Sequence, residues 1–115
     1  MSDAPVLSGV NLVADLDAVT EFERKHTPYI THEPAGDKTR VNIKVGHYVA
    51  HPNMADHFID SIALYVGDAV IARFDLAAVA AYPEVSVVVD LDAGTTLRAV
   101  ESCTIHGLWA AEITI

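Results

Sequence analysis

One cysteine and four histidines carry the chemistry open to this chain. Cys103-Thr104-Ile105-His106 sets a thiol three residues before an imidazole, and Gly107-Leu108-Trp109 follows at once. His51-Pro52-Asn53-Met54-Ala55-Asp56-His57 repeats histidine at a spacing of six, and Lys25-His26-Thr27-Pro28 adds a further imidazole. Two ligands three residues apart on a tight turn can face one metal. Gly107 permits such a turn, and Trp109 opens the next strand as a core anchor. The Pro-Asn loop can curl so that His51 and His57 converge, while His26 lies beside Pro28 on a segment of restricted shape. One thiolate and four imidazoles exceed the tetrahedral set of structural zinc. They suit a square pyramid of nitrogen and sulfur donors, which iron accepts, with the position opposite the thiolate open. A thiolate there pushes electron density through the metal. Taken singly, each histidine reads as an ordinary imidazole and Cys103 as a small buried hydrophobe; the joint pattern reverses that reading. His32 and His47 fall in no motif and read as non-ligands.

The elements that must position these residues are mostly strands. The stretch 41–45 alternates apolar and polar with period two. The stretch 58–66 reads as a longer strand, Gly67-Asp68 as a turn and 69–74 as its hairpin partner. Another strand covers 84–91; Asp92-Ala93-Gly94 turns; 95–102 runs back toward the cysteine; 108–115 closes the chain. Before them, 15–23 predicts a short helix ended by Thr27-Pro28, and 33–37 predicts a turn. The stretch 76–81 reads as a loop or a poor strand. Trp109 and Tyr65 are expected in the core. Six or seven short strands with frequent turns predict an all-β antiparallel sandwich or barrel.

The chain has 115 residues, 51% of them apolar and 20% charged, which fits one globular domain over residues 1–115. No apolar run is long enough for a membrane span. Met1-Ser2-Asp3-Ala4-Pro5 lacks a basic region followed by an apolar stretch, so a cytoplasmic location is expected. A formal net charge of −9 argues against nucleic acid. Yet Arg24, Lys25, Lys38, Arg40 and Lys44 cluster within a window holding only Glu33 and Asp37 as acids. That window reads either as a solvated face or as a positive collar drawing a small anion toward His26.

The three motifs occur in the order E-K-H-x-P, H-P-N-x-x-x-H and C-x-x-H-G-L-W, with one departure before His26. In this the chain resembles the superoxide reductase family in its short, neelaredoxin-type form, over roughly residues 23–112. The resemblance implies an immunoglobulin-like β-sandwich of about seven strands. It implies one mononuclear non-haem iron, with His26, His51, His57 and His106 equatorial and Cys103 axial. The implied reaction is superoxide plus one electron and two protons giving hydrogen peroxide. The electron would come from rubredoxin or a similar small donor, and neelaredoxin-type relatives are typically homotetramers. Lys25 matches the family lysine, whose charge would attract superoxide. The family glutamate, a ligand of resting ferric iron, stands two residues before the first histidine. Arg24 fills that slot here, which leaves two readings: Glu23, one residue back, caps the ferric iron in its place, or it points away and the sixth position stays open to water or small anions. Longer members carry an additional iron domain with four cysteines; a single cysteine leaves only the catalytic centre expected.

Two rivals compete on the residues alone. A blue-copper electron-transfer protein also joins Cys and His near the C-terminus of a β-sandwich. It wants a methionine after the histidine, whereas the chain has only Met1 and Met54 and no glutamine. A non-catalytic immunoglobulin-like binding module with structural zinc explains the fold but not five donors.

Overall fold

Each of the six stretches read as a strand becomes one, and two further strands form. The structure, a computed structural model, describes residues 9–115. Its elements are β1 (Asn11–Leu12), a 3-10 turn (Leu16–Ala18), α1 (Glu21–His26), β2 (Tyr29–Ala35), β3 (Lys38–Lys44), β4 (Ile59–Val66), β5 (Ala69–Asp75), β6 (Glu84–Val89), β7 (Thr96–Cys103) and β8 (Gly107–Thr114). Residues 1–5, on which the expectation of no export signal rests, lie outside the described residues. One sheet runs β1-β8-β7-β4-β5 and the other β2-β3-β6. The expected all-β class is the observed one, and every pairing of these strands is antiparallel except the short β1–β8 pair.

The departures have local causes. β1 is too short to show periodicity. β2 lies on an edge of its sheet with His32, Glu33 and Pro34 exposed, and there proline needs no ladder partner. The turn expected over 33–37 therefore shrinks to Gly36-Asp37, with Gly36 at a left-handed φ of 66°. The helix expected over 15–23 divides in two. Asp15 caps the 3-10 turn by accepting from Asp17 N–H at 3.0 Å. Thr20 then starts α1 with a capping box: its hydroxyl accepts from Glu23 N–H, and Glu23 Oε1 accepts from Thr20 N–H at 3.0 Å. Thr27 ends the helix, as its proline neighbour requires.

The core lies between the sheets. Ile30, Val41, Ile43, Val45 and Val89 on one side meet Ile59, Ile62, Leu64, Leu97, Ala99 and Cys103 on the other. Burying each large aliphatic contributes about 1.5–3 kcal/mol. β4 is buried on both faces, because Ala63 and Tyr65 pack with Val100 and Ala110 on its far side. Cys103 thus ends a strand already fixed by core packing, and Trp109 is buried as expected.

Glu101 breaks the apolar pattern of β7. It is fully buried, and both its carboxylate oxygens lack hydrogen-bond partners, as does Asp60 Oδ1. Burial first, and the charge of Asp60 second, raise its pKa well above the ordinary 4.5. The folded chain therefore keeps a proton that the unfolded chain releases, so this group's effect on stability becomes less favourable as pH rises above 4.5. In denaturant unfolding of the metal-free chain, Glu101→Gln should flatten that decline and gain on the parent as pH rises from 4.5 toward neutrality. Parallel stability curves for the two proteins would show that Glu101 carries no such proton.

Candidate metal centre

Three segments meet at one end of the sandwich: the C-terminal turn of α1, the loop between β3 and β4, and the β7–β8 turn. His26 is the last residue of α1 and has no exposed surface. A helix end leaves carbonyls without partners, and here the site residues take them. His26 Nδ1 lies 2.8 Å from Phe22 O, Thr27 Oγ1 donates to Glu23 O at 2.8 Å, and Thr27 N–H donates to Arg24 O. With Nδ1–H donated to Phe22, His26 Nε2 presents a lone pair. His51 repeats the device, its Nδ1 lying 2.7 Å from Pro52 O. Trp109 Nε1 donates to His106 O at 3.0 Å and fixes the β7–β8 turn.

The imidazoles form a closed ring in the order His26, His51, His57, His106. Successive centroids lie 4.9, 5.0, 5.0 and 5.0 Å apart, and neighbouring planes meet at 72–83°. Donor atoms of His26, His57, Cys103 and His106 all lie within 4.8 Å of one another. His51 joins through its Nε2, 3.5 Å from Cys103 Sγ. His106 faces the others with Nδ1, 3.2 Å from His26 Nε2 and 3.8 Å from Cys103 Sγ. His57 Nε2 is buried with no partner. Such an atom is costly unless something positive meets it. The donor set, imidazole nitrogens from four histidines and one sulfur, fits a single cation that accepts imidazole and thiolate.

Electrostatics keep the donors ready. Burial lowers the pKa of His26 against the pull of the Phe22 carbonyl, and His106, His57 and Lys25 lower it further. Burial also pushes His51 down to about 4, with His26, His57 and Lys25 adding in the same direction. Both imidazoles are therefore neutral at pH 7. Burial pushes the Cys103 thiol up, the N–H groups of Ile105 and His106 pull it down, and Glu101 and Asp60 push it up again. His106 N lies 3.4 Å from Sγ. Without a cation the sulfur keeps its proton; a metal must displace it.

The structure does not bring His32 or His47 to this ring. His32 is exposed on β2, and His47 stacks on Tyr29 at 3.6 Å, with planes 6° apart. The Glu23 carboxylate closes the α1 cap, with Oε1 also 3.0 Å from Thr20 Oγ1. Arg24, in the slot of the family glutamate, grips Leu16 O through Nε at 3.1 Å and Nη2 at 2.8 Å. Two members of the basic cluster meet acids, Lys38 with Asp37 and Asp90 and Lys44 with Glu84, while Arg40 donates to Ser86 Oγ.

Two residues that the motifs did not single out help to shape the site. Phe22 lies 4.7 Å from His26, 4.8 Å from His106 and 5.9 Å from Trp109, centroid to centroid. Its place four residues before a helical histidine was a readable signal. Glu101, two positions before Cys103, was also readable as a carboxylate on the same strand face as the thiol.

Comparison with known proteins agrees with this geometry. The Desulfoferrodoxin family model matches residues 18–112. A Methanocaldococcus jannaschii relative, a putative superoxide reductase, is 36% identical over 101 residues, which span 81% of this chain and 84% of the relative. The solved superoxide reductase of Nanoarchaeum equitans aligns with a TM-score of 0.73 at 34% identity, over 84% of this chain and 97% of that one. A solved superoxide reductase (neelaredoxin) of Archaeoglobus fulgidus, in the reduced form, aligns with a TM-score of 0.71 at 28% identity, over 84% and 94% of the two chains. With the family model spanning most of its length and the Cys/His ring in place, this chain belongs to the desulfoferrodoxin family.

Proposed function

We propose that this protein is a superoxide reductase that holds one iron per chain through His26, His51, His57, His106 and Cys103. The observation that carries the proposal is the ring of imidazoles beside the Cys103 sulfur, with the buried His57 Nε2 left unpartnered. Iron, when bound, supplies the one-electron chemistry that the side chains lack. The protein supplies orientation: carbonyls of Phe22 and Pro52 hold the outer nitrogens of His26 and His51, which fixes tautomer and ring direction. Backbone N–H groups of Ile105 and His106 hold the sulfur and moderate its charge.

The chain as a whole repels an anionic substrate, having a net charge of −9. Lys25 offsets this locally. Its charge acts on both His26 and His51, while Lys38 and Lys44 are paired with acids. Glu23 belongs to the proposal as a ligand of ferric iron, a role that requires it to leave the α1 cap at about 1 kcal/mol of helix stability. Phe22, Met54 and Ile105 stand exposed on segments adjoining the ligands, which supports docking of a small electron donor of the rubredoxin type. A homotetrameric assembly, a cytoplasmic location and the immunoglobulin-like description of the sandwich are further parts of the proposal, on the strength of the neelaredoxin-type resemblance. The blue-copper alternative lacks its methionine: Met54 is 59% exposed and bridges backbone to His57.

The deciding experiment measures iron content and superoxide consumption with and without a reductant. Iron near one per chain and reductant-dependent consumption support the proposal; copper, or consumption that needs no reductant, sinks it. Cys103→Ser should abolish the visible absorption of the oxidised protein and its reaction with superoxide while the strand content by circular dichroism stays unchanged. An unaltered visible band would remove Cys103 from the ligand set. Lys25→Ala should slow the bimolecular step by about tenfold. In the parent the rate should also fall as salt shortens the Debye length from about 30 Å at 0.01 M to about 10 Å at 0.1 M. A rate indifferent to both changes leaves Lys25 without this role.

A further inference from the structure

Val79 is the one described residue other than glycine with a left-handed backbone, at φ 66°. A β-branched side chain is strained there. Ala80 N–H donates to Ala78 O at 2.7 Å, so the strain is that of a three-residue γ-turn in its rarer form. The Val79 side chain is 54% exposed, so little packing holds the turn. Ala81 N–H closes the wider turn on Ala77 O at 3.1 Å, and the tie to the rest of the molecule is Asn53: Val79 N–H donates to Asn53 Oδ1 at 3.1 Å, and Asn53 Nδ2 donates to Val79 O at 3.2 Å. One amide side chain thus satisfies both polar groups of one strained residue.

The segment that presents Val79 is braced at both ends. Leu76 N–H donates to Asp60 O, and Val45 N–H donates to Pro83 O, both at 2.9 Å. Asn53 in turn sits between His51 and His57. Its neighbour Met54 exchanges two backbone hydrogen bonds with His57, at 2.9 and 3.0 Å. On the far side, a Cβ at Gly46 would meet His51 N at 3.0 Å, so this loop has little slack. The connection therefore runs from the sandwich frame through Val79 and Asn53 to the two histidines.

Resting on the metal-centre reading above, we propose that Asn53 is a positioning residue that locks His51 and His57 in their metal-binding directions by clamping the strained Val79 turn. The turn persists because it offers an N–H and a C=O at the spacing of a carboxamide. Strain of this kind is kept where surrounding structure over-determines it.

The test titrates Co(II) into the metal-free full-length chain and records the thiolate-to-cobalt band and the hyperfine-shifted imidazole protons. Asn53→Ala should bind Co(II) about 10–100-fold more weakly, the usual cost of losing an outer-shell partner. The shifted signals of His51 and His57 should move while those of His26 and His106 stay. Asn53→Asp, which keeps the acceptor and loses the donor, should fall between Asn53→Ala and the parent. Val79→Gly keeps both hydrogen bonds and should bind as the parent does. Parental affinity and spectra in Asn53→Ala and Asn53→Asp would overturn the proposal, as would a loss in Val79→Gly equal to that in Asn53→Ala. A parent chain that binds Co(II) without a Cys103 thiolate band overturns the metal-centre reading and this proposal with it.

Discussion

The structure turns on donor atoms from three segments that face each other at one end of the sandwich. Nitrogen lone pairs of His26, His51 and His57 and the sulfur of Cys103 converge within a few ångströms, and one of the nitrogens is buried and unpartnered. His106 Nδ1 meets His26 Nε2 at 3.2 Å and Cys103 Sγ meets His51 Nε2 at 3.5 Å, but the His57 nitrogen has no such contact among the described residues, and a buried acceptor without a donor costs about 1–3 kcal/mol. The core between the sheets offsets that cost, and a bound cation would convert it into attraction. Burial serves both ends: it closes the apolar core around Cys103 and keeps the imidazoles of His26 and His51 unprotonated.

Helix α1 shows how little regular structure the site needs. Six residues are too few for a helix to persist in water. It persists here because both ends are satisfied. The capping box of Thr20 and Glu23 serves the first turn, and the last turn's carbonyls receive His26 Nδ1 and Thr27. Holding His26 and ending the helix are thus one set of hydrogen bonds. Phe22 ties that turn to His106 and Trp109, so α1 and the β7–β8 turn are registered through aromatic contact as well as through the donors.

Charge is arranged by depth. The acids that make the chain negative lie mostly at the surface, where several neutralise the lysines of β3. Glu101 and Asp60 are the exceptions, set close to the thiol and raising its pKa. The N–H groups of the β7–β8 turn oppose them at the same sulfur. The protonation of that sulfur is thereby pulled one way by these acids and the other way by backbone N–H groups.

Ligand types, their pairing into three segments and the alternating strands were legible in the sequence because each depends on local spacing. Cys103 and His106 share one turn, His51 and His57 share one loop, and β3, β5 and β6 alternate with period two. The helix boundary was half legible: Pro28 marks its end locally, but its start needed Thr20 and Glu23 to be read together as a box. β2 was hidden because an edge strand tolerates Pro34 and outward polar residues. Which nitrogen of each imidazole faces the centre depends on carbonyls that only the fold supplies, Phe22 O for His26 and Pro52 O for His51. The fate of Arg24, whose guanidinium goes to Leu16 O, was likewise set by the folded chain, whereas Glu23 stays with Thr20 three residues away. Asn53 and Val79 lie 26 residues apart, and nothing in either neighbourhood announces the other. The sequence by itself determined which atoms could bind a metal; the packing of two sheets decided that they meet.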